Sequence, residues 1–249
     1  MTGAYTIALI IATLVVSLGS LIFGVRRGLP ANKIFFIMLI FIFLTFIGSR
    51  WMYLATNVSQ KSVSFWDLDA DGFSLFGGII FSVLGGSIAC YLFRINRWLL
   101  ADIIAPFLGI GIAIIRVGCF LYGCCFGKET NLPWGVRFPI GSPAHLYQLQ
   151  HPGGDLLFVH PVHPTQLYEL AAGLIGSFLT IIVLRKKLPH GTAFLIFILW
   201  FTIFRWINSF FRVTLPSYSA PPYLYPGMYF SIIVIGSLLL WRTLKKRRK

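Results

Sequence analysis

Apolar runs of about 20 residues alternate with short, basic connections along most of the chain. A helix that crosses a bilayer needs roughly 20 mostly apolar residues. Seven stretches qualify, near residues 4–24, 33–50, 73–93, 99–123, 164–184, 191–211 and 227–241. No internal repeat, heptad pattern or low-complexity tract interrupts the series. The first run has no basic segment ahead of it and passes straight into Val25-Arg26-Arg27. It reads as a retained span, because a cleaved signal peptide carries its charge before a shorter apolar core. The pattern predicts an all-α, polytopic membrane protein with seven transmembrane helices, forming a single membrane domain over 1–249.

Composition narrows the class further. Of the 249 residues, 57% are apolar and 11% are charged, and the mean hydropathy is +0.81. Soluble domains are about 45–50% apolar and roughly a quarter charged. A water-soluble globule, a disordered chain and a disulfide-stapled secreted module are therefore excluded. The charges are one-sided, with 21 Lys and Arg against 7 Asp and Glu and a formal net charge of +14. Nucleic-acid binders carry such charge on a polar surface, whereas here it is scattered between apolar runs, so no nucleic-acid partner is expected.

Sorting the charge by connection predicts orientation, since cytoplasmic loops are enriched in Lys and Arg. Arg26, Arg27, Lys33, Arg94, Arg97, Arg185, Lys186 and Lys187 fall on one side. With seven spans the tail Arg242, Lys245, Lys246, Arg247, Arg248 and Lys249 joins them, making 14 of the 21 basic residues. The expectation is an N-terminus outside and a cytoplasmic C-terminus. Two long connections then face outward. One, about 51–72, carries Asp67, Asp69 and Asp71; the other, near 124–163, is rich in Pro, Gly and His. The second also holds Trp134, Phe138, Leu156, Leu157 and Phe158, too apolar for a linker, and reads as an ordered outer loop.

Charges inside spans are costly and need a partner or a purpose. Arg116 lies about seven residues before the outer end of the fourth predicted span, roughly 10 Å deep at 1.5 Å per residue. Glu169 lies roughly 8 Å inside the fifth and Arg205 roughly 9 Å inside the sixth by the same rise. Arg212 follows Arg205 by seven residues, near the same face. One reading pairs Glu169 with a single Arg as bundle glue while the other Arg snorkels outward. The sharper one notes that several Arg against one Glu leave positive charge at headgroup depth, where guanidinium can clasp a phosphate.

Smaller signals surround these charges. Gly77-Gly78 and Gly85-Gly86 form one flat face of the third span, suited to close helix packing or to an acyl chain. Gly118, Gly123 and Gly127 would let backbone N–H groups approach an anion. Cys119, Cys124 and Cys125 crowd near the outer end of span four, ahead of His145, His151, His160 and His163. The paired spacings of zinc sites are absent. Packing or site lining comes first for these cysteines, ahead of a disulfide or a metal site. Cys90 reads as a small buried residue. His163-Pro164 should open span five and set His163 above Gln166 and Glu169, either as a loop hydrogen-bonder or as a base or headgroup contact.

The stretch Ile115-Arg116-Val117-Gly118-Cys119-Phe120-Leu121-Tyr122-Gly123-Cys124-Cys125-Phe126-Gly127-Lys128 resembles the signature of the prolipoprotein diacylglyceryl transferases, seven-span bacterial membrane enzymes. Asn131-Leu132-Pro133-Trp134-Gly135, His163-Pro164-Thr165-Gln166-Leu167-Tyr168-Glu169 and Phe204-Arg205-Trp206-Ile207 with Phe210-Phe211-Arg212 resemble further motifs of that family, in the same order. The likeness covers roughly 73–212. Departures are clear: the family's span-three histidine is Phe76, its signature asparagine is Cys119, its signature glutamate is Cys124, and its sixth-span glutamate falls on Ser209.

The resemblance implies transfer of diacylglyceryl from phosphatidylglycerol to the thiol of a lipobox cysteine in a lipoprotein precursor, at the bacterial plasma membrane, with a site open to the outer leaflet. It implies catalytic roles for Arg116, Arg205, Glu169 and His163. Gly77, Gly78, Gly118, Cys119, Gly123, Cys124, Gly127, Gln166, Tyr168 and Arg212 would line the substrate. No metal and no organic cofactor is implied. The alternatives are a family member acting on another acceptor and a non-catalytic phospholipid-binding membrane protein.

Overall fold

In the computed structural model the apolar runs become helices, because a backbone in lipid must satisfy its own hydrogen bonds. Residues 3–56, 75–151, 156–186, 188–213 and 223–245 are described. They form α1 (Gly3–Arg26), α2 (Ala31–Thr56), α3 (Leu75–Leu92), α4 (Arg97–Tyr122), α5 (Pro143–Leu149), α6 (Thr165–Arg185), α7 (Thr192–Ser209) and α8 (Leu224–Lys245). Among the described residues, α1, α2, α4, α6, α7 and α8 are long and apolar enough to cross a membrane. The protein is an all-α, polytopic membrane protein. The third expected span, near 73–93, falls on α3, whose 18 residues would extend ~27 Å. Phe43, Leu84, Ile88, Phe178, Ile203 and Leu238 are exposed on helix faces, a surface suited to lipid rather than water.

The helices fall into two compact units. One comprises Ser17–Ile103. Its centre is the packing of α2 on α3, and the glycine pairs of α3 make it close. A methyl on Gly77 would meet the Gly48 carbonyl and, at 2.5 Å, Met52 Cβ; one on Gly78 would lie 3.2 Å from Thr45 Cγ2. Gly85 and Gly86 meet Leu44 and Phe41. The flat glycine face is thus taken up by α2. Asp67, Asp69, Asp71 and the Phe76 side chain lie outside the described residues.

The other unit comprises Thr2–Val16 and Ile104–Lys249. Here two glycines decide where the charges go. A methyl on Gly109 of α4 would strike the Gly173 carbonyl and Ser177 Oγ of α6, and one on Gly173 would lie 2.7 Å from the Gly109 carbonyl. Ser177 Oγ donates to the Pro106 carbonyl at 2.6 Å across the same seam. Arg116 stands about two turns beyond Gly109 and Glu169 about one turn before Gly173. The helices run in opposite directions, so both side chains emerge at the same end of the crossing. On the other flank of α6, Trp200 Nε1 of α7 donates to the Ala172 carbonyl at 2.9 Å, and Gly176 admits the Phe197 and Trp200 rings. Gly109→Val should lower stability by about 1–3 kcal/mol through overpacking, read as thermal unfolding in detergent. An unchanged midpoint would show that this crossing does not govern the unit.

The described parts of the connection near 124–163 build a small core of their own. Phe126, Phe138, Ala144 and Val162 form a buried cluster that Phe120, Val136, Tyr147 and Val213 pack against. Helix α5 opens on Ser142, whose hydroxyl accepts from His145 N at 3.3 Å, with Pro143 in the first turn. Of the apolar residues singled out in this loop, Phe138 is buried, whereas Trp134, Leu156, Leu157 and Phe158 are exposed.

Candidate active site

A single carboxylate gathers the charges. Glu169 Oε2 accepts from Arg116 Nη2 at 2.5 Å and from Arg205 Nη1 at 2.8 Å. Its other oxygen, Oε1, accepts from Asn208 Nδ2 at 3.1 Å and faces Arg212 Nη1 at 3.7 Å. The Glu169 side chain is 3% exposed, against 13%, 23% and 29% for Arg116, Arg205 and Arg212. The glue reading, one Glu for one Arg, is too small. Three guanidiniums share one carboxylate, and their remaining N–H groups surround a cluster with two uncompensated positive charges.

Arg212 reaches the cluster by a route that helical periodicity did not foresee. Helix α7 ends at Ser209, and Arg212 lies beyond it in an extended segment bridged to Gly127. Lys128 N donates to the Phe211 carbonyl at 2.8 Å, and Gly127 N to the His163 carbonyl at 2.9 Å. A side chain on Gly127 would lie 2.5 Å from His163 Cβ and 2.7 Å from two carbonyls, which is why glycine stands there. Gly118 has a comparable role, with Ala8 of α1 at 2.6 Å from its missing Cβ, and Gly123 turns the chain after α4 at φ +76°. Packing and turn geometry account for all three.

Asn208 is the residue that sequence reasoning missed. The family's sixth-span glutamate was matched to Ser209, but Ser209 is exposed and donates to the Trp206 carbonyl of its own helix. Asn208, one residue earlier, is 2% exposed and bridges Glu169 to the Thr165 carbonyl at 3.2 Å. An amide in an apolar helix was the available signal.

His163 faces Tyr168 and Phe211 rather than standing over Gln166 and Glu169. Trp134 Nε1 donates to the Tyr168 hydroxyl at 2.8 Å, and that oxygen lies 3.2 Å from His163 Nδ1. Indole can only donate, so the phenol oxygen accepts from Trp134, while the direction of its bond to His163 Nδ1 depends on the imidazole tautomer. The three rings, with Leu132 and Phe211, wall an open recess of about 430 Å³. Tyr168→Phe should release His163 and lower any transfer activity by up to about tenfold, the value of one hydrogen bond. An unchanged rate would mean that this hydrogen bond plays no part in transfer.

Gln166 and Thr165 turn toward the cysteines. Gln166 Nε2 donates to the Cys124 carbonyl at 2.6 Å, and Thr165 Oγ1 to the Cys125 carbonyl at 2.7 Å. Both side chains are fully buried. Cys125 is held at φ +60°, a left-handed conformation uncommon for a side-chain-bearing residue. All four cysteines are free thiols. Arg116 Nη1 approaches Cys119 Sγ at 3.7 Å. The Cys125 thiol is drawn below the ordinary thiol range by hydrogen bonds from Cys119 and Cys124, with further help from Arg212 and Arg116. The same contacts push Cys124 up.

Set beside known proteins, this architecture has a clear place. A family profile described as prolipoprotein diacylglyceryl transferase matches residues 3–242. The chain belongs to the prolipoprotein diacylglyceryl transferase family. The match extends the likeness well beyond 73–212, into the first two helices, where no motif was legible.

Relatives named phosphatidylglycerol–prolipoprotein diacylglyceryl transferase include one from Clostridium tetani, 28% identical over 196 residues, covering 75% of this chain and 71% of that protein. A second, from Clostridium perfringens, is 28% identical over 232 residues, covering 91% of this chain and 85% of the relative. A third, from Geobacter sulfurreducens, is 35% identical over 144 residues, which is 57% of this chain and 48% of the relative. The family match thus covers both the helices and the loop that carry the site.

Proposed function

We propose that this protein transfers diacylglyceryl from phosphatidylglycerol to the thiol of a lipobox cysteine in a lipoprotein precursor. The observation that carries the reading is the Arg116–Arg205–Arg212 cluster on Glu169. In the reaction a thiolate attacks the glycerol carbon that bears the phosphate, the C–O bond breaks, and glycerol phosphate leaves with the bonding electron pair. Negative charge grows on the departing phosphate, so donors already aimed at that position lower the barrier most. Arg116 and Arg205, fixed by Glu169 Oε2, fill that role, while Arg212 is held more loosely. Two buried oxygens, Gln166 Oε1 and Asn208 Oδ1, have no donor among the described residues; a headgroup bearing hydroxyls would bring donors to this region. The recess between Trp134, His163 and Phe211 suits apolar groups of a lipid or peptide.

The same proposal includes seven spans with α3 as the third, an N-terminus outside, a cytoplasmic C-terminus and a plasma-membrane location. Its support is that, with seven spans, 14 of the 21 basic residues fall in alternate connections and the C-terminal tail. A family member with another thiol or amine acceptor is the second reading, favoured by Cys119 and Cys124 standing where the family motif has polar residues. A non-catalytic phospholipid-binding protein is the third. Incubation of the purified protein with phosphatidylglycerol and a lipobox peptide, followed by mass spectrometry, separates them. A diacylglyceryl mass gain on the peptide cysteine is expected. Headgroup cleavage without peptide modification would favour a different acceptor, and phospholipid binding without turnover would favour the third reading.

A further inference from the structure

Cys119 opens the last turn of α4, which ends at Tyr122, and Cys124 and Cys125 lie just past it, yet their three sulfur atoms all lie within 4.8 Å of one another. None of the loop histidines joins this group among the described residues. The spacing Cys-x4-Cys-Cys matches no familiar metal motif, so the convergence is a product of the fold. Gly123 turns the chain at φ +76° and Cys125 turns it again at φ +60°, which brings both later sulfurs back over the helix end. Gln166 and Thr165 then hold the Cys124 and Cys125 carbonyls from α6. A left-handed cysteine persists only where its surroundings over-determine it, and these two hydrogen bonds supply that constraint.

We infer that Cys119, Cys124 and Cys125 form a three-thiolate site for a monovalent thiophilic cation, with copper(I) as the matching ion. An all-sulfur donor set selects soft metals over magnesium, calcium or manganese. Three donors rather than four suit a trigonal ion; structural zinc is almost always held by four ligands. The charge balance also favours a single positive charge. Three thiolates around one monovalent ion carry a net charge of −2, which the excess of Arg116, Arg205 and Arg212 over Glu169 offsets. Arg116 already lies against Cys119. Binding displaces the protons of the thiols to solvent, forms three Cu–S bonds and leaves the metal as copper(I). Cys119 is buried while Cys124 and Cys125 are only partly so, so the ion enters from the side of the latter pair. The site shares these arginines with the lipid reading above but does not rest on that reading.

The test uses the full-length, reduced protein in detergent under anaerobic conditions. Copper(I) is supplied from its bicinchoninate complex, kept reduced by ascorbate, and withdrawal of metal from the coloured competitor is followed. One copper per chain is expected, with X-ray absorption reporting three sulfur neighbours at roughly 2.3 Å, the range of metal–thiolate bonds. Cys119→Ser, Cys124→Ser and Cys125→Ser should each weaken binding by at least about 100-fold, more than an outer-shell change usually does. Cys90→Ser, in the other compact unit, should bind as the parent does, and helical circular dichroism identifies any variant that fails to fold. Uptake no greater than that of a variant lacking all three thiols would overturn the proposal, as would nitrogen or oxygen neighbours at the metal. Preference for zinc(II) in a four-coordinate site would overturn the monovalent assignment.

Discussion

Glu169→Ala should destabilise the protein by about 3–5 kcal/mol, the penalty for removing one partner from a buried ionic cluster. The side chain is 3% exposed and holds two guanidiniums on Oε2, with Asn208 and Arg212 on Oε1. Without it three positive charges face one another with little water to screen them. Glu169→Gln keeps an oxygen acceptor but loses the charge, so its effect should be smaller. Removing an Arg together with the Glu should recover part of the loss, because contacting residues do not act additively. Thermal unfolding in detergent for Glu169→Ala, Arg205→Ala and the double variant measures the coupling. Additive effects, or a Glu169→Ala protein within about 0.5 kcal/mol of the parent, the range of ordinary surface changes, would mean that solvent or lipid screens the cluster.

Arg116→Ala and Arg205→Ala should each lower diacylglyceryl transfer by about 10²–10³-fold, the usual consequence of deleting a donor aimed at developing negative charge. Arg116→Lys should restore little. Lysine carries the charge but lacks the planar fork that can hold Glu169 and a phosphate oxygen together. Arg212→Ala should have a smaller effect, because its nitrogen stands 3.7 Å from Glu169 and its segment is held by backbone pairing outside the helices. Initial rates with phosphatidylglycerol and a lipobox peptide give the ranking. If Arg116→Ala and Arg205→Ala kept near-parental rates while remaining folded, the cluster would be a packing device and the phosphate reading would fall.

Much of this site was legible in one dimension. Arg116, Glu169 and Arg205 stand out because a charge in an apolar run is expensive, and helical rise alone sets them at similar depth. The one-to-one pairing failed because no count of residues shows how many guanidiniums can reach one carboxylate. Asn208 was missed because a motif match pointed one residue further, while the rotation of α7 against α6 turns Asn208 inward and leaves Ser209 exposed. Gly77 and Gly78 were ambiguous until α2 was seen against them.

From its sequence alone the protein is a polytopic helical membrane protein with basic residues concentrated in one set of connections and a few charges buried in its spans. Those properties follow from hydropathy and charge, which act locally and are additive along a chain. Which charges meet depends instead on where helices can approach. Gly109 and Gly173 let α4 and α6 come close enough for Arg116 to reach Glu169. Two left-handed turns at Gly123 and Cys125 fold three separated thiols into one group. Such contacts depend on backbone geometry rather than on local hydropathy, and only the tertiary structure decides them.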